Sequence, residues 1–285
     1  KSLEAIFNET ETSTLAFLQQ YGFSKKVIHL FFKPFFSGIF LEPNLETSSR
    51  MFQFVYKMFG EGLAAIPASG MGAISKQLET RLSNTTFHFN TPVKQVKEGK
   101  ILLENQSFLD SDFTIIATDA HPLMPNLKNQ QLAWNSCDSL YFLTSQKVIT
   151  KPLIGLVSDE NALINNIFYP TTFSKEMNKG KDVLSVTIVK EHGLPPKALI
   201  QKTKDELRIH FNIKDSIFLK HYRITNALPR LSNLKNDIEP SETKLTATIF
   251  LAGDTMLNGS LNAAMLSGER AAEGVIATVN SETSA

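Results

Sequence analysis

The chain has 285 residues, 42% of them hydrophobic and 20% charged, enough for one large domain or two smaller ones with real cores. Its 29 basic and 28 acidic side chains leave a formal charge of +1, so no overall field recruits nucleic acid or an anionic membrane surface. The single cysteine, Cys137, excludes an internal disulfide and a cysteine-rich zinc site.

No apolar run reaches the ~18 residues of a transmembrane helix, and Lys1-Ser2-Leu3 opens no signal-peptide pattern. With its thiol suited to a reducing compartment, the expectation is a soluble cytoplasmic protein. Eleven of the 21 phenylalanines fall in the first sixty residues, which points to an aromatic helical core or to an apolar ligand site.

Residues 2–32 read as helical, with Ser2, Thr12 or Ser13, and Ser24 as caps and a break at Tyr21–Ser24. The apolar run Phe35–Leu41 stops at Pro43, and helical spacing resumes over Thr47–Phe59. Strands are predicted at Thr86–Asn90, around Val93, at Ile101–Leu103 and at Phe113–Thr118. Further strands are expected at Leu140–Thr144, Leu153–Ser158, Asn166–Tyr169, Val183–Val189 and Ser216–Arg223, with an amphipathic helix over Pro195–Phe211. Residues 232–244 read as a loop. Thr246–Ala252 is a continuous apolar strand of the kind buried in parallel sheets, and a long helix follows from about Ser260 to Val279.

That last unit carries the most chemistry. Ile249-Phe250-Leu251-Ala252-Gly253-Asp254 is a strand ending in a Gly-Asp turn, and Asn258-Gly259-Ser260-Leu261-Asn262 opens a helix. A helix N-terminus offers free N–H donors and a positive dipole end to an anionic ligand. Ligands of open α/β sheets sit beyond the carboxyl ends of the strands, where Asp254 falls. The same pattern also suits an ordinary β-turn-α unit in which Asp254 caps a loop.

The string resembles the C-terminal flavin-binding signature of the FAD-dependent amine oxidase superfamily, which includes protoporphyrinogen oxidases and phytoene desaturases. Ser267-Gly268-Glu269-Arg270-Ala271-Ala272 continues the resemblance. So do Ile66-Pro67-Ala68-Ser69-Gly70-Met71-Gly72, Phe89–Val96 and Phe113–Asp119. It implies an FAD cofactor held by Val93, Ala117, Thr118, Gly253, Asp254, Ser260, Leu261 and Asn262. It also implies a fold of α/β plus α+β type. A partial FAD-binding Rossmann-like sheet, of the glutathione-reductase type, would occupy 66–120 and 245–285. A helical and mixed-sheet substrate domain, its sheet mixed or antiparallel, would occupy 1–65 and 121–244.

The family's opening strand, Gly-x-Gly-x-x-Gly turn and helix do not occur in the sequence. Gly60-Glu61-Gly62-Leu63-Ala64-Ala65 follows a helical pattern rather than a strand. The expectation is therefore a C-terminal portion of an FAD-dependent oxidoreductase that takes hydride from a C–H or C–N bond, inactive as this chain alone. A non-catalytic binding or interaction module that keeps the architecture without flavin is the alternative. No residue is assigned a catalytic role, and the six histidines show no metal spacing.

Amine oxidases use a lysine near the flavin on a substrate-domain strand. The matching stretch, Cys137–Phe142, has none, and Lys147 comes later. Phe36, Phe40 and Tyr222 are the candidates for lining an apolar small-molecule substrate. The run Leu30–Leu41 is the candidate for peripheral membrane contact. The sequence leaves the oligomeric state unspecified.

Overall fold

Serine caps start the helices of the first sixty residues. Ser13 accepts from the Ala16 N–H to begin α2 (Thr14–Gln20), after the short α1 (Leu3–Phe7) that Ser2 caps in the same way. Ser24 starts α3 (Lys25–Val27), which runs through a π turn at Ile28–Phe32 into α4 (Lys33–Phe40). Pro34 has no N–H to continue a regular ladder, and the wider π turn sits just ahead of it. Ser48 caps α5 (Ser49–Glu61).

The computed structural model describes residues 1–127, 132–172 and 182–283. They divide into two compact units, one of residues 1–9, 75–133 and 231–285, the other of 10–74 and 134–230. The sequence-derived division differs from this at 1–9, 66–74, 121–133 and 231–244. α6 (Gly72–Arg81) buries no residue and spans the division.

In the second unit, Phe32, Phe36 and Phe40 recur every four residues and bury one face of the π turn and α4 against Leu18, Leu45 and Phe52. The ring centroids of Phe36 and Phe52 are 4.7 Å apart, as are those of Phe23 and Phe32. The phenylalanine crowding is thus largely a helical core.

Beside it lies a five-stranded sheet in the order β6 (Gly155–Leu156), β7 (Ile164–Phe168), β8 (Asp182–Ile188), β5 (Trp134–Thr144), β9 (Ser216–Pro229). Every pairing is antiparallel, one of the two forms expected from sequence. Leu140, Phe142, Leu184, Val186 and Ile188 pack one face against Leu199 and Leu207 of α7 (Pro196–Phe211).

In the first unit, β1 (Val93–Lys97), β2 (Lys100–Leu103) and β3 (Phe108–Asp110) form an antiparallel meander. β4 (Thr114–Ile116) and β10 (Ile249–Leu251) pair in parallel, Ile115 opposite Phe250. β10 leads through a 3₁₀ turn into α8 (Leu261–Thr283). Phe250, Ala252 and Ala271 form the strand-to-helix core, with Phe113 and Val275 against it.

Residues 231–244 join this unit because Ile238 is buried with Leu257 and Ala263, and Asp237 pairs with Arg270 of α8 through two bonds of 2.8 and 2.9 Å. Residues 121–127 join it through Leu123, Met124 and Leu127, packed beside Val96 and Ile249.

Three predicted elements take other forms. Thr86–Asn90 pairs with no strand. Its alternation brings Phe87 and Phe89 into an exposed stack at 5.9 Å, because period-two patterning cannot supply a ladder partner. The strand Thr246–Ala252 shortens to Ile249–Leu251. The N–H groups of Leu245 and Thr246 bond the Ile249 carbonyl in a tight turn instead. The strand predicted at Ser216–Arg223 runs on to Pro229 as β9.

Candidate functional site

The carboxyl ends of β4 and β10 lie side by side, since Ala252 N–H continues the parallel ladder by donating to the Ile116 carbonyl at 2.9 Å. A cavity of about 330 Å³ opens there, lined by Thr118, Asp119 and Ala120 after β4 and by Ala252, Thr255 and Met256 after β10. This is where crevices of open α/β sheets form.

Gly253 makes the turn with φ of +129°, a conformation that leaves a β-carbon strained. Two bonds from Ser267 fix it. The Gly253 N–H donates to Ser267 Oγ at 2.8 Å, and the hydroxyl, shared with the Ala264 carbonyl, donates to the Gly253 carbonyl at 2.9 Å. In the sequence Ser267 stands only as the first residue of the Ser267–Ala272 string. Its full burial, the signal of this role, appears only in the fold.

Asp254 follows as the first residue of the 3₁₀ turn. Its backbone carbonyl accepts from Gly259 N–H at 3.0 Å, which folds the loop back toward the helix start. Burial pushes its carboxyl above the usual carboxylate range, and the N–H groups of Thr255 and Asp254 itself offset part of that. Among the described residues no lysine, arginine or hydroxyl pairs with it. It is a half-buried carboxyl whose partners here are backbone N–H groups.

Ser260 caps α8, its Oγ accepting from Ala263 N–H at 3.1 Å and donating to Asn258 Oδ1 at 2.7 Å. Asn258 is buried and anchors the loop by donating to the Lys235 carbonyl at 3.0 Å. The cap leaves the N–H groups of Leu261 and Asn262 without an intrahelical acceptor at the positive end of a 23-residue helix.

The predicted positions thus separate into groups. Gly253, Asp254, Ser260, Leu261 and Asn262 form one continuous turn and helix start. Thr118 lines the cavity at the end of β4; its neighbour Ala117 is exposed beside it. Val93 opens β1, paired with Leu103 and packed against the cluster of Val96, Ile116 and Ile249.

The other three candidates belong to the second unit. Phe36 and Phe40 are 1% and 3% exposed within the helical core and line none of the described cavities. Tyr222 is half exposed on β9, its ring perpendicular to that of Tyr141 at 6.0 Å with Lys220 Nζ over it. Lys147 lies beyond the end of β5 and pairs with Asp182 at 3.1 Å.

One polar cluster escaped the sequence reading. Asp138 of β5, 1% exposed, accepts from His221 at 2.6 Å, lies 3.2 Å from His192 and pairs with Arg223. Burial alone raises its carboxyl, but the bonds from His221, Arg223 and His192 win and hold it below the usual range. The three partners come from β9 and from the segment after β8, 54 to 85 residues away, so no local motif announces them.

Residues 5–276 match the model of a family described as flavin containing amine oxidoreductase. Solved structures with the same fold include an oxidoreductase from Methanosarcina mazei, with a TM-score of 0.73 at 16% identity over 95% of this chain and 70% of that one. Cyclohexylamine oxidase from Brevibacterium oxydans gives 0.63 at 12% identity, over 94% of this chain and 68% of that one. A cofactor-site variant of putrescine oxidase gives 0.68 at 12% identity, over 93% and 68%. At these identities the likeness is one of fold. No curated protein sequence matches the chain.

Proposed function

This chain belongs to the flavin containing amine oxidoreductase family, whose cofactor is FAD, and from that premise we propose that it takes hydride from a C–H or C–N bond of an apolar small molecule. The observation that carries the reading is the Gly253-Asp254 turn, whose half-buried acid has backbone partners only among the described residues, together with the open N-terminus of α8 and the cavity at the strand ends. These donors and acceptors fit the ribityl and ring edge of a flavin. The flavin, when bound, supplies the hydride acceptor.

Each residue of this chain then has a role. Gly253 lets the backbone approach closely, and Ser267 holds it rigid. Asp254 accepts a hydrogen bond from a ribityl hydroxyl in place of water. The Leu261 and Asn262 N–H groups stabilise negative charge at the ring edge, reinforced by the helix dipole. Thr118 and Ala117 bound the pyrophosphate side, and Val93 offers its main chain to adenine.

For the substrate, Tyr222, half exposed beside Tyr141 on the five-stranded sheet, is the candidate contact. Cys137–Phe142 holds no lysine and Lys147 is engaged with Asp182, which favours desaturase- or porphyrinogen-oxidase-like chemistry over simple amine oxidation. No helix among the described residues is long and apolar enough to cross a membrane.

The sequence holds no Gly-x-Gly-x-x-Gly turn following a strand, and two parallel strands make a narrow nucleotide-binding sheet. We therefore read the chain as the C-terminal portion of the enzyme, completed by a segment that grips the ADP half of the cofactor.

Titrating the chain separately with FAD and FMN, followed by flavin fluorescence, tests this reading. Binding of both is expected, FAD the more tightly through the adenylate that Thr118, Ala117 and Val93 would meet, and binding of both should be lost in Asp254→Ala, whose carboxylate faces the ribityl chain the two share. Failure of both to bind saturably would overturn the reading and leave a non-catalytic module.

A further inference from the structure

A second cavity, of about 310 Å³, opens wholly within the unit that holds the helical core and the five-stranded sheet. α4 contributes Lys33, Pro34 and Ser37. The loop after β6 contributes residues 157–160, and Lys190 follows β8. Its size is in the range of small-molecule sites, and none of the residues assigned to flavin lines it.

Three basic side chains converge on it. Lys33 Nζ donates to Glu160 Oε1 at 2.8 Å, and His29 Nδ1 lies 3.5 Å from the same oxygen. Lys190 Nζ donates to the backbone carbonyls of Glu160 and Ala162 at 2.7 and 2.6 Å. An ammonium has three N–H groups, so these bonds leave donors on both lysines. Burial first, and the charge of Lys33 second, hold the Lys190 ammonium below the usual lysine range. The carboxylates of Glu206, Asp159 and Glu160 offset part of this, and Asp159 and Glu160 line the cavity with the lysines.

Ser37 supplies the independent sign of a ligand. It is 2% exposed, lines the cavity, and its Oγ has no hydrogen-bond partner within the protein. A buried hydroxyl left unpaired costs about 1–3 kcal/mol, and the helix offers an easy escape that Ser37 does not take, a bond to its own preceding turn. The wall beside it is rigid. Asn165 Nδ2 donates to the Pro34 carbonyl at 3.0 Å across Gly38, where a β-carbon would stand 2.8 Å from that nitrogen.

We propose that this cavity binds a small ligand bearing an oxyanion, carboxylate or phosphate, whose oxygens take bonds from Lys33, Lys190 and the Ser37 hydroxyl. The Glu160 carboxylate is the internal occupant it displaces. That side chain is 59% exposed on a loop, so it can leave the lysines at little cost. Val157 and Ile164 give the ligand's carbon skeleton an apolar wall.

Calorimetric titration of the chain with inorganic phosphate and with succinate, at constant ionic strength in chloride, tests the site. Saturable binding of phosphate alone, or of succinate alone, names the class; binding of both means that the shared charge dominates. Lys33→Met is expected to weaken binding roughly tenfold or more, the loss of a charge-assisted bond. Ser37→Ala should weaken binding while leaving the melting temperature of the free chain unchanged or higher, since it removes an unpaired buried hydroxyl. Glu160→Gln should tighten binding by removing the competitor. Absence of saturable heat with either anion, or affinity unchanged in both Lys33→Met and Ser37→Ala, overturns the proposal.

Discussion

Ser267 of α8 holds Gly253 by both of its backbone polar groups, at 2.8 and 2.9 Å, although fourteen residues separate them. A strained glycine turn keeps its shape only if the surroundings over-determine it, and here one buried hydroxyl does so. Ser267→Ala leaves the Gly253 N–H and carbonyl without that partner in a buried setting. Urea unfolding should report a loss of about 1–3 kcal/mol, and flavin should dissociate faster from the variant than from the parent chain.

Asp254 behaves oppositely with and without ligand. Its folded carboxyl titrates above its unfolded one, mainly through burial. Between those two values the native state binds more protons than the unfolded state, so stability falls as pH rises through the window and stays lower above it. Asp254→Asn removes that penalty. Thermal melts of the flavin-free chain at neutral pH should place the variant at or above the parent, with the gap closing in acid. Flavin titrations should show weaker binding by the same variant.

Asp138 has the reverse sign. Its bonds from His221, Arg223 and His192 depress its carboxyl below the unfolded value. The stability it contributes is complete above the ordinary carboxylate range and is lost as pH falls through that range toward the folded value. Asp138→Asn should cost on the order of 2–4 kcal/mol at neutral pH, limited because Arg223 keeps contact with water. The difference between variant and parent should shrink in acid-unfolding curves.

Two glycines of α8 make a matched pair. Glycine to alanine inside a helix usually stabilises by about 0.5–1 kcal/mol. At Gly268 nothing lies within 4 Å of the added carbon, and Gly268→Ala should show that gain. At Gly274 the carbon would stand 2.8 Å from the Pro240 carbonyl oxygen and 3.0 Å from Phe250 Cε1. Gly274→Ala should therefore destabilise by about 1–3 kcal/mol as an overpacked contact. Equal shifts in melting temperature for the two variants would contradict this account of how α8 seats on the 3₁₀ turn at Pro240–Thr243.

The sequence by itself determined what depends on near neighbours. Capping at Ser13 and Ser24, the amphipathic spacing of Pro196–Phe211, and the strand-Gly-Asp-helix string around Asp254 all lie within a few residues of their partners. Their physics is legible along the chain. Only the tertiary structure decided what depends on distant partners. Thr86–Asn90 has the alternation of a strand but no ladder to join, whereas residues 224–229, beyond the strand predicted from sequence, are a strand because β5 lies beside them. Asp138 became the centre of a charged cluster only when β9 brought His221 and Arg223 to it, and Ser267 became a clamp only when α8 folded back onto Gly253. Hydrogen bonds and charge pairs act over a few ångströms. Where the chain must fold to close that gap, composition and spacing carry no record of the pair.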